Sequence, residues 1–240
     1  MEFIIRLANI NFLVQSVYNI LDENVKHYIV EDKVKPDIEI HVTRALLDAE
    51  FERLHKINED ILSYTAIEMI LVQRTIAEIL PQFNTFLLHG AAIAFDHESY
   101  IFTGKSGIGK STHIKQWIDN VDESFVVNGD KPYIIVNQSG AYTCGTPWCG
   151  KEKYETNTVV PLKSIVLMER SENNKIVEVS FRYALPKLLE QIYRPADATQ
   201  MRSVLNLLMK LKDHVSFYVF YFNNFKEDAF HTSFNELTKR

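Results

Sequence analysis

The chain has 240 residues, 46% of them hydrophobic and 24% charged, a balance that fits a globular protein of one large domain or two small ones. A formal charge of −5 and a pI near 5.9 exclude the basic footprint of a nucleic-acid binder. No apolar run approaches the roughly 18 residues needed to cross a membrane, and Met1-Glu2-Phe3-Ile4-Ile5-Arg6 lacks the basic and apolar regions of a secretory signal. A cytoplasmic protein with neither nucleic acid nor membrane as partner is expected.

In chain order, Phe3 to Leu7 reads as a strand, and Val14, Val17, Tyr18 and Leu21 keep helical spacing. Tyr28 to Val30 and Ile38 to Val42 read as further strands, with Pro36-Asp37 punctuating between them. His27 and His41 are lone histidines, read as surface or strand positions rather than metal ligands. Residues 44–60 are charged and read as a solvated helix or loop face. From about Tyr64 to Leu80 the apolar spacing predicts a helix, stopped by Pro81. Residues 1–85 are therefore expected to form a small N-terminal α/β module of open role, followed by a second domain over 86–240.

Phe86 to Phe95 reads as a buried strand interrupted at His89-Gly90. Asp96 to Ser99 is a polar turn, and Tyr100 to Thr103 returns as a strand. Two strands so joined are antiparallel neighbours. The second feeds Gly104-Lys105-Ser106-Gly107-Ile108-Gly109-Lys110-Ser111, which fits G-x-x-x-x-G-K-[ST], the Walker A or P-loop pattern. Its glycines let successive N–H groups turn toward phosphate oxygens, Lys110 brings a mobile positive charge, and the Ser111 hydroxyl suits the shell of Mg²⁺. Ser106 and Thr112 are candidate helpers, read equally well as turn and helix-start residues. Ser111 to Ile118 contains no helix breaker and opens a helix whose positive dipole end meets the same anion.

Beyond that helix, Ser124 to Asp130 reads as a strand ending in an acid. Asp130 is a candidate for the metal side of the phosphate site, or for the base that prepares an acceptor hydroxyl. His89 is the other candidate base, with a satisfied core histidine as the plainer reading. Tyr133 to Val136 is a strand with a hairpin turn over Asn137 to Gly140. Cys144 to Lys151 forms a constrained loop in which Lys151 is a candidate phosphate or acceptor contact, against the plainer reading of a Trp-anchored turn. Cys144 and Cys149 are expected as free thiols. Pro161 to Arg170 reads as a buried strand and Ser171 to Lys175 as a turn. The last third is expected to be mainly helical, over Leu185 to Tyr193, Ala196 to Leu211 and about Lys226 to Leu237, with an aromatic strand at Phe217 to Phe222. Arg182, Arg194 and Arg202 are candidate charge-stabilising arginines, Arg194 first among them.

His89-Gly90 before a hairpin, the P-loop on the hairpin's second strand, and Asp130 after the next strand together resemble HPr kinase/phosphorylase and, at the level of the fold, PEP carboxykinase. The stretches Asn128 to Pro132 and Gly145 to Lys151 look more like uncharacterised HPr-kinase-related proteins, including serine kinases and kinases of peptides. The resemblance covers about residues 86–222. It implies a mixed α/β (α+β) sheet carrying the P-loop, with C-terminal helices, and an ATP-dependent phosphotransferase. Gly104, Lys105, Ser106, Gly107, Ile108, Gly109, Lys110, Ser111 and Thr112 would hold the nucleotide. Ser111 and Asp130 would hold Mg²⁺, and the acceptor would be a hydroxyl of a peptide, protein or small molecule. Enzymes of this kind are often homo-oligomers. The sequence departs from the family pattern in two places, the first being that HPr kinase has two successive aspartates where this chain has Gly129-Asp130. The family's phosphorolysis signature is also not recognisable, so phosphorylase activity is not implied, nor is HPr as substrate. The rival expectation is a nucleotide-binding regulatory module or an NTPase without an acceptor.

Overall fold

The computed structural model describes residues 1–30, 34–56, 62–223 and 228–239. The chain opens with a hairpin, β1 (Glu2–Leu7) and β2 (Ile10–Gln15), turned through Ala8 and Asn9, whose φ angles are 50° and 65°. Positive φ at both central residues is the two-residue turn that matches strand twist. β2 replaces the start of the helix expected from Val14, Val17, Tyr18 and Leu21. Ile10, Phe12 and Val14 are buried in alternation with half-buried neighbours, the period of a strand. A four-residue helix, α1 (Glu23–Lys26), follows. Tyr28 to Val30 runs beside β1, but Ile29 forms only an isolated bridge to Ile5. β3 (Ile38–His41) pairs in parallel with β2 to complete a three-stranded sheet.

The charged stretch is a helix, α2 (Arg44–His55), capped by Thr43; Glu59 and Asp60 of that stretch lie outside the described residues. α3 (Tyr64–Ile79) forms where its apolar spacing predicts. The Ser63 hydroxyl caps it, and a 3₁₀ turn over Leu80–Phe83, with Pro81 inside, ends it. Buried Glu50 is paired with Arg53 and Arg74, which joins α2 to α3.

The second sheet has nine strands. β4 (Thr85–Leu87) is followed by the hairpin of β5 (Gly90–Phe95) and β6 (Glu98–Thr103). α4 (Lys110–Asn120) leads to β7 (Phe125–Asn128), and a second hairpin joins β8 (Tyr133–Asn137) to β9 (Gly140–Cys144). The long β10 (Val159–Arg170) pairs antiparallel with β9 at its start and parallel with β6 beyond it. β11 (Lys175–Val179), α5 (Phe181–Leu189), α6 (Ala198–Leu211), β12 (Ser216–Phe222) and α7 (Ala229–Leu237) complete the chain. Lys226, at the expected start of the last helix, lies outside the described residues. The strand order is β4-β8-β9-β10-β6-β5-β7, with β12 joining β10 to β11. The fold is thus a mixed α/β arrangement, as expected. β6 lies between an antiparallel hairpin partner, β5, and a parallel neighbour, β10.

Three large cores hold these layers. One packs α5 and α6 against the big sheet through Leu188, Leu207, Leu211, Ile165 and Val219. A second packs α4 and α7 on its other face around Trp117, Phe102, Phe220 and Phe230. A third runs across residue 85. It joins Phe12, Val14 and Tyr28 to Val72 and Ile76 of α3, and these to Tyr133, Cys144 and Trp148. His27 Nδ1 lies 2.5 Å from Glu155 Oε1, and Tyr28 donates to Glu155 Oε2 at 2.7 Å, fixing the N-terminal sheet to the segment after Gly150. Among the described residues no helix is long and apolar enough to cross a membrane.

Candidate active site

β6 ends at Thr103, and the chain turns through residues 104–109 into α4. Gly109 is the N-cap, with φ 118°, a left-handed conformation in which a side chain would be strained. No side chain caps α4, so the N–H groups of its first turn are available to an anion. Lys110 is buried, and its Nζ donates to the carbonyls of Gly104 at 3.1 Å and Lys105 at 3.4 Å. Burial lowers its pKa, and the nearby Asp130 charge opposes that effect. His113, one turn into α4, anchors the helix. Its ring lies 4.6 Å from that of Phe102 and 5.0 Å from that of Phe220, with Nε2 2.9 Å from Ser233 Oγ. Burial pushes its pKa down to about 3.

A cavity of about 270 Å³ opens over this loop, lined by Ser106, Gly107, Gly109, Lys110, Ser111 and Thr112 and, across from them, by His89, Gly129, Asp130 and Glu152. The side facing the loop is built by the β4–β5 and β7–β8 connections. The buried Asn128 amide oxygen accepts from the N–H of Asp130 at 2.9 Å and of Lys131 at 2.6 Å, while its Nδ2 donates to Thr146 O and Oγ1. The Gly90 N–H donates to Asp130 O at 2.9 Å. His89 Nε2 is 3.4 Å from Asp130 Oδ1, and Lys131 Nζ is 3.8 Å from Oδ2. Burial pushes the Asp130 carboxyl up. The hydrogen bond with His89 and the charges of Lys131, His89 and Lys110 outweigh it and hold its pKa below the usual carboxylate range.

His89 Nδ1 is 3.0 Å from Gln191 Oε1. With that oxygen accepting, Nδ1 donates, and Nε2 is the ring nitrogen that faces Asp130.

Gly129 stands where the resemblance implies a second aspartate. A Cβ there would lie 2.8 Å from the Cys149 carbonyl oxygen, a main-chain atom that cannot swing away. The loop after β9 occupies the space that a side chain at 129 needs.

The structure therefore brings His89, Ser106, Gly107, Gly109, Lys110, Ser111, Thr112 and Asp130 to one cavity. Gly104, Lys105 and Ile108 line a second cavity of about 370 Å³ behind the loop, with Thr103, Met168, Lys187 and Gln191 among its walls. Lys151 and Arg194 are exposed and line neither cavity, and Arg182 and Arg202 are also exposed. At the position next to Lys151, Glu152 lines the cavity with Lys110 and Asp130 instead. The contributions of Asn128, Gln191 and Glu152 escape sequence reasoning. For Asn128 a signal existed: Asn followed by Gly-Asp-Lys is the composition of a turn closed by the Asn side chain. Cys144 and Cys149 are free and buried, with burial pushing their thiols up to about 12 and about 11.

Among the described residues no three His, Cys, Asp or Glu side chains form a metal cage. Mg²⁺ at phosphoryl-transfer sites takes one or two protein oxygens and the phosphates themselves, and Ser111 and Asp130 on one cavity fit that pattern.

No family model matches the chain, and no curated protein does. Among solved structures, the chain is similar to the Hpr(Ser) kinase/phosphatase from Coxiella burnetii, with a TM-score of 0.39 and 11% identity, over 62% of this chain and 89% of that one.

Proposed function

We propose that the protein is an ATP-dependent, Mg²⁺-requiring phosphotransferase that moves the γ-phosphate to a hydroxyl, as on a serine, of a peptide, protein or small molecule. The observation that carries this reading is the convergence of Lys110, Ser111, His89 and Asp130 on one cavity at a strand–P-loop–helix unit. The loop N–H groups and the start of α4 cradle the phosphates, and Lys110 neutralises charge as the γ-phosphoryl group loosens. Ser111 and Asp130 are the residues that would hold Mg²⁺, which would supply further neutralisation of phosphate charge. An ionised aspartate has about four lone-pair sites, enough for one oxygen to serve the metal side and the other to orient the acceptor hydroxyl. The acceptor oxygen bonds to the γ-phosphorus, the bond from phosphorus to the β,γ-bridging oxygen breaks, and ADP leaves. The hydroxyl proton passes to Asp130, beside which Gln191 orients the His89 ring.

The rival reading, an NTPase or a nucleotide-binding module, draws on Gly129, which leaves one acid where the resembling family has two. Incubation of the full chain with Mg²⁺ and γ-labelled ATP, with free serine, serine peptides or water as acceptor, separates them. The expected result is Mg²⁺-dependent label in a hydroxyl acceptor. Release of inorganic phosphate alone would make the protein an NTPase, and nucleotide binding without turnover would make it a binding module.

A further inference from the structure

Among the described residues, those lining the cavity with Lys110 and Asp130 all lie beyond residue 85. Residues 1–85 approach it through a buried carboxylate that the proposed reaction does not use, Glu155, whose side chain is 2% exposed. The Tyr28 hydroxyl donates to its Oε2 at 2.7 Å, and His27 Nδ1 lies 2.5 Å from its Oε1. Tyr28 is in turn stitched to β1. The Arg6 N–H donates to Tyr28 O at 2.8 Å, and the Val30 N–H donates to Ile4 O at 3.0 Å. Asn157 Nδ2 donates to His27 O at 2.7 Å, a further tie between the same two segments. Burial and the bond to Glu155 push the pKa of the Tyr28 hydroxyl well above its ordinary value, so it stays a donor.

On its other side Glu155 leads to Asp130. Its main chain pairs with Asn128 at the end of β7. The flanking bonds run from the Gly129 N–H to Tyr154 O at 2.9 Å and from the Thr156 N–H to Val127 O at 3.1 Å. The buried Asn128 side chain then accepts from the N–H groups of Asp130 and Lys131. A second route runs through α3. Lys131 Nζ donates to Oε1 of the buried Gln73 at 3.4 Å and stands 3.8 Å from Asp130 Oδ2. Asp130 is thus tied, at its main chain and at its carboxylate, to groups that residues 1–85 hold in place.

A buried, charged pair adds little stability that well-packed apolar side chains would not supply. What a carboxylate with a partner on each oxygen does supply is a fixed register between the segments it joins. Here that register is the seating of residues 154–156 against the end of β7, the stretch that carries Asp130. Resting on the phosphotransferase reading above, we propose that Tyr28 and Glu155 are positioning residues: through their hydrogen bond the N-terminal sheet holds Asp130 where an acceptor hydroxyl meets the γ-phosphate. A shift approaching 1 Å at such a group lowers turnover by up to about 100-fold. Binding of nucleotide at residues 104–111 does not depend on it.

Gly129-Asp130 is the one Gly-Asp pair in the sequence, and Gly107-Ile108 the one Gly-Ile pair. Cell-free synthesis of the full chain with ¹³C-carbonyl glycine and ¹⁵N aspartate, or ¹⁵N isoleucine, therefore isolates the amide of Asp130, or of Ile108, in a carbonyl-correlated spectrum. In Tyr28→Phe the Asp130 amide is expected to exchange with solvent about tenfold faster, the scale of one hydrogen bond to a charged group. The Ile108 amide, bonded to Lys105 O within its own loop, is expected to exchange as in the parent. Tyr28→Phe leaves a buried carboxylate oxygen without its donor and so lowers stability. The double variant Tyr28→Phe/Glu155→Gln, which removes the charge, is measured beside it; its melting temperature is expected to recover toward that of the parent while the Asp130 amide stays fast. With Mg²⁺, ATP and free serine or a serine peptide, both variants are expected to lose about tenfold in kcat, with KM for ATP within about twofold of the parent. Equal exchange of the Asp130 amide in parent and variants would overturn the proposal, and so would equal acceleration of the Asp130 and Ile108 amides, the mark of general loosening. A fast Asp130 amide with unchanged kcat would overturn the positioning role. A parent chain that transfers phosphate to no acceptor would sink the phosphotransferase reading, while the exchange rates would still decide whether the N-terminal sheet holds Asp130.

Discussion

Substituting Gly129 by alanine probes how the site is built, because one added methyl group meets main-chain atoms only. The new Cβ would lie 2.8 Å from Cys149 O and 3.4 Å from Tyr154 O. Tyr154 O already accepts the Gly129 N–H at 2.9 Å, so the two segments are tied face to face. Overpacking of this kind costs about 1–3 kcal/mol, and the lower unfolded-state entropy of alanine returns about 0.4–1 kcal/mol. A net loss of up to about 2.6 kcal/mol remains, centred on about 1–2 kcal/mol, which lowers the melting temperature by about 2–4 °C for a chain of 240 residues. The strain is relieved only by moving residues 149–154 or the turn closed by Asn128. Either movement carries Asp130, whose N–H hangs from Asn128 Oδ1. A displacement approaching 1 Å costs up to about 100-fold in turnover, while residues 104–109 are untouched. Gly129→Asp meets the same carbonyl with a charge added, so adding the second acid that the resemblance implies is expected to reduce activity rather than raise it. Thermal denaturation, phosphate transfer and nucleotide titration on both variants measure the three quantities. Variants as stable and as active as the parent would refute this account of Gly129.

Other outcomes follow from the same geometry. Asp130→Asn removes the charge on a carboxylate that borders the cavity; transfer is expected to fall by about 100-fold or more with a change of less than about threefold in nucleotide affinity, measured by single-turnover assay and calorimetry. Because the Asp130 pKa is held low in the fold, the carboxylate persists to more acidic pH than a free aspartate. Its contribution to stability is present above the ordinary carboxylate pKa and is lost as pH falls through the lowered one. His113 adds a second acid dependence. The unfolded chain takes up a proton near pH 6.5, the native ring only near pH 3, so stability falls as pH drops from about 6.5 toward 3. His113→Phe is expected to flatten that part of a pH series of urea melts, and an unchanged slope would show that the ring is not buried neutral.

The parts of this molecule that sequence makes legible are those decided within a few residues. The Walker A pattern is eight consecutive positions, and the strand, turn and helix around it follow from glycine, lysine and uninterrupted helix formers. The β5–β6 hairpin is read from a polar break between two apolar runs, which the structure tightens to Asp96 and His97 with φ 50° and 65°. β2 is missed because Val14, Val17, Tyr18 and Leu21 match helical spacing by coincidence, while Ala8-Asn9 is a weak turn signal without glycine. The partners of the candidate residues are set by long-range packing. His89 meets Gln191 from 102 positions away, and Lys131 meets Gln73 from 58. No local pattern carries such pairs. Lys151 and Glu152 differ by one position in a tight turn, and which of them reaches the cavity depends on the left-handed residues Gly150 and Lys153. Gly129 looks in sequence like the loss of an acid; in the fold it is the position over which the Cys149 carbonyl closes.

The most direct test of the central claim is a calorimetric titration of the full chain with an Mg²⁺-bound, non-hydrolysable ATP analogue, beside Lys110→Ala. Lys110 is a buried cation whose pKa burial has lowered, so its removal is not expected to destabilise the fold, and a loss of binding reports on the site. Hydrogen bonds to a charged group are worth about 1.5–3 kcal/mol, so the variant is expected to bind about 10- to 150-fold more weakly. No binding by the parent chain, or equal affinity in the two proteins, would contradict the assignment of residues 104–111 as the phosphate-binding loop of a phosphotransferase.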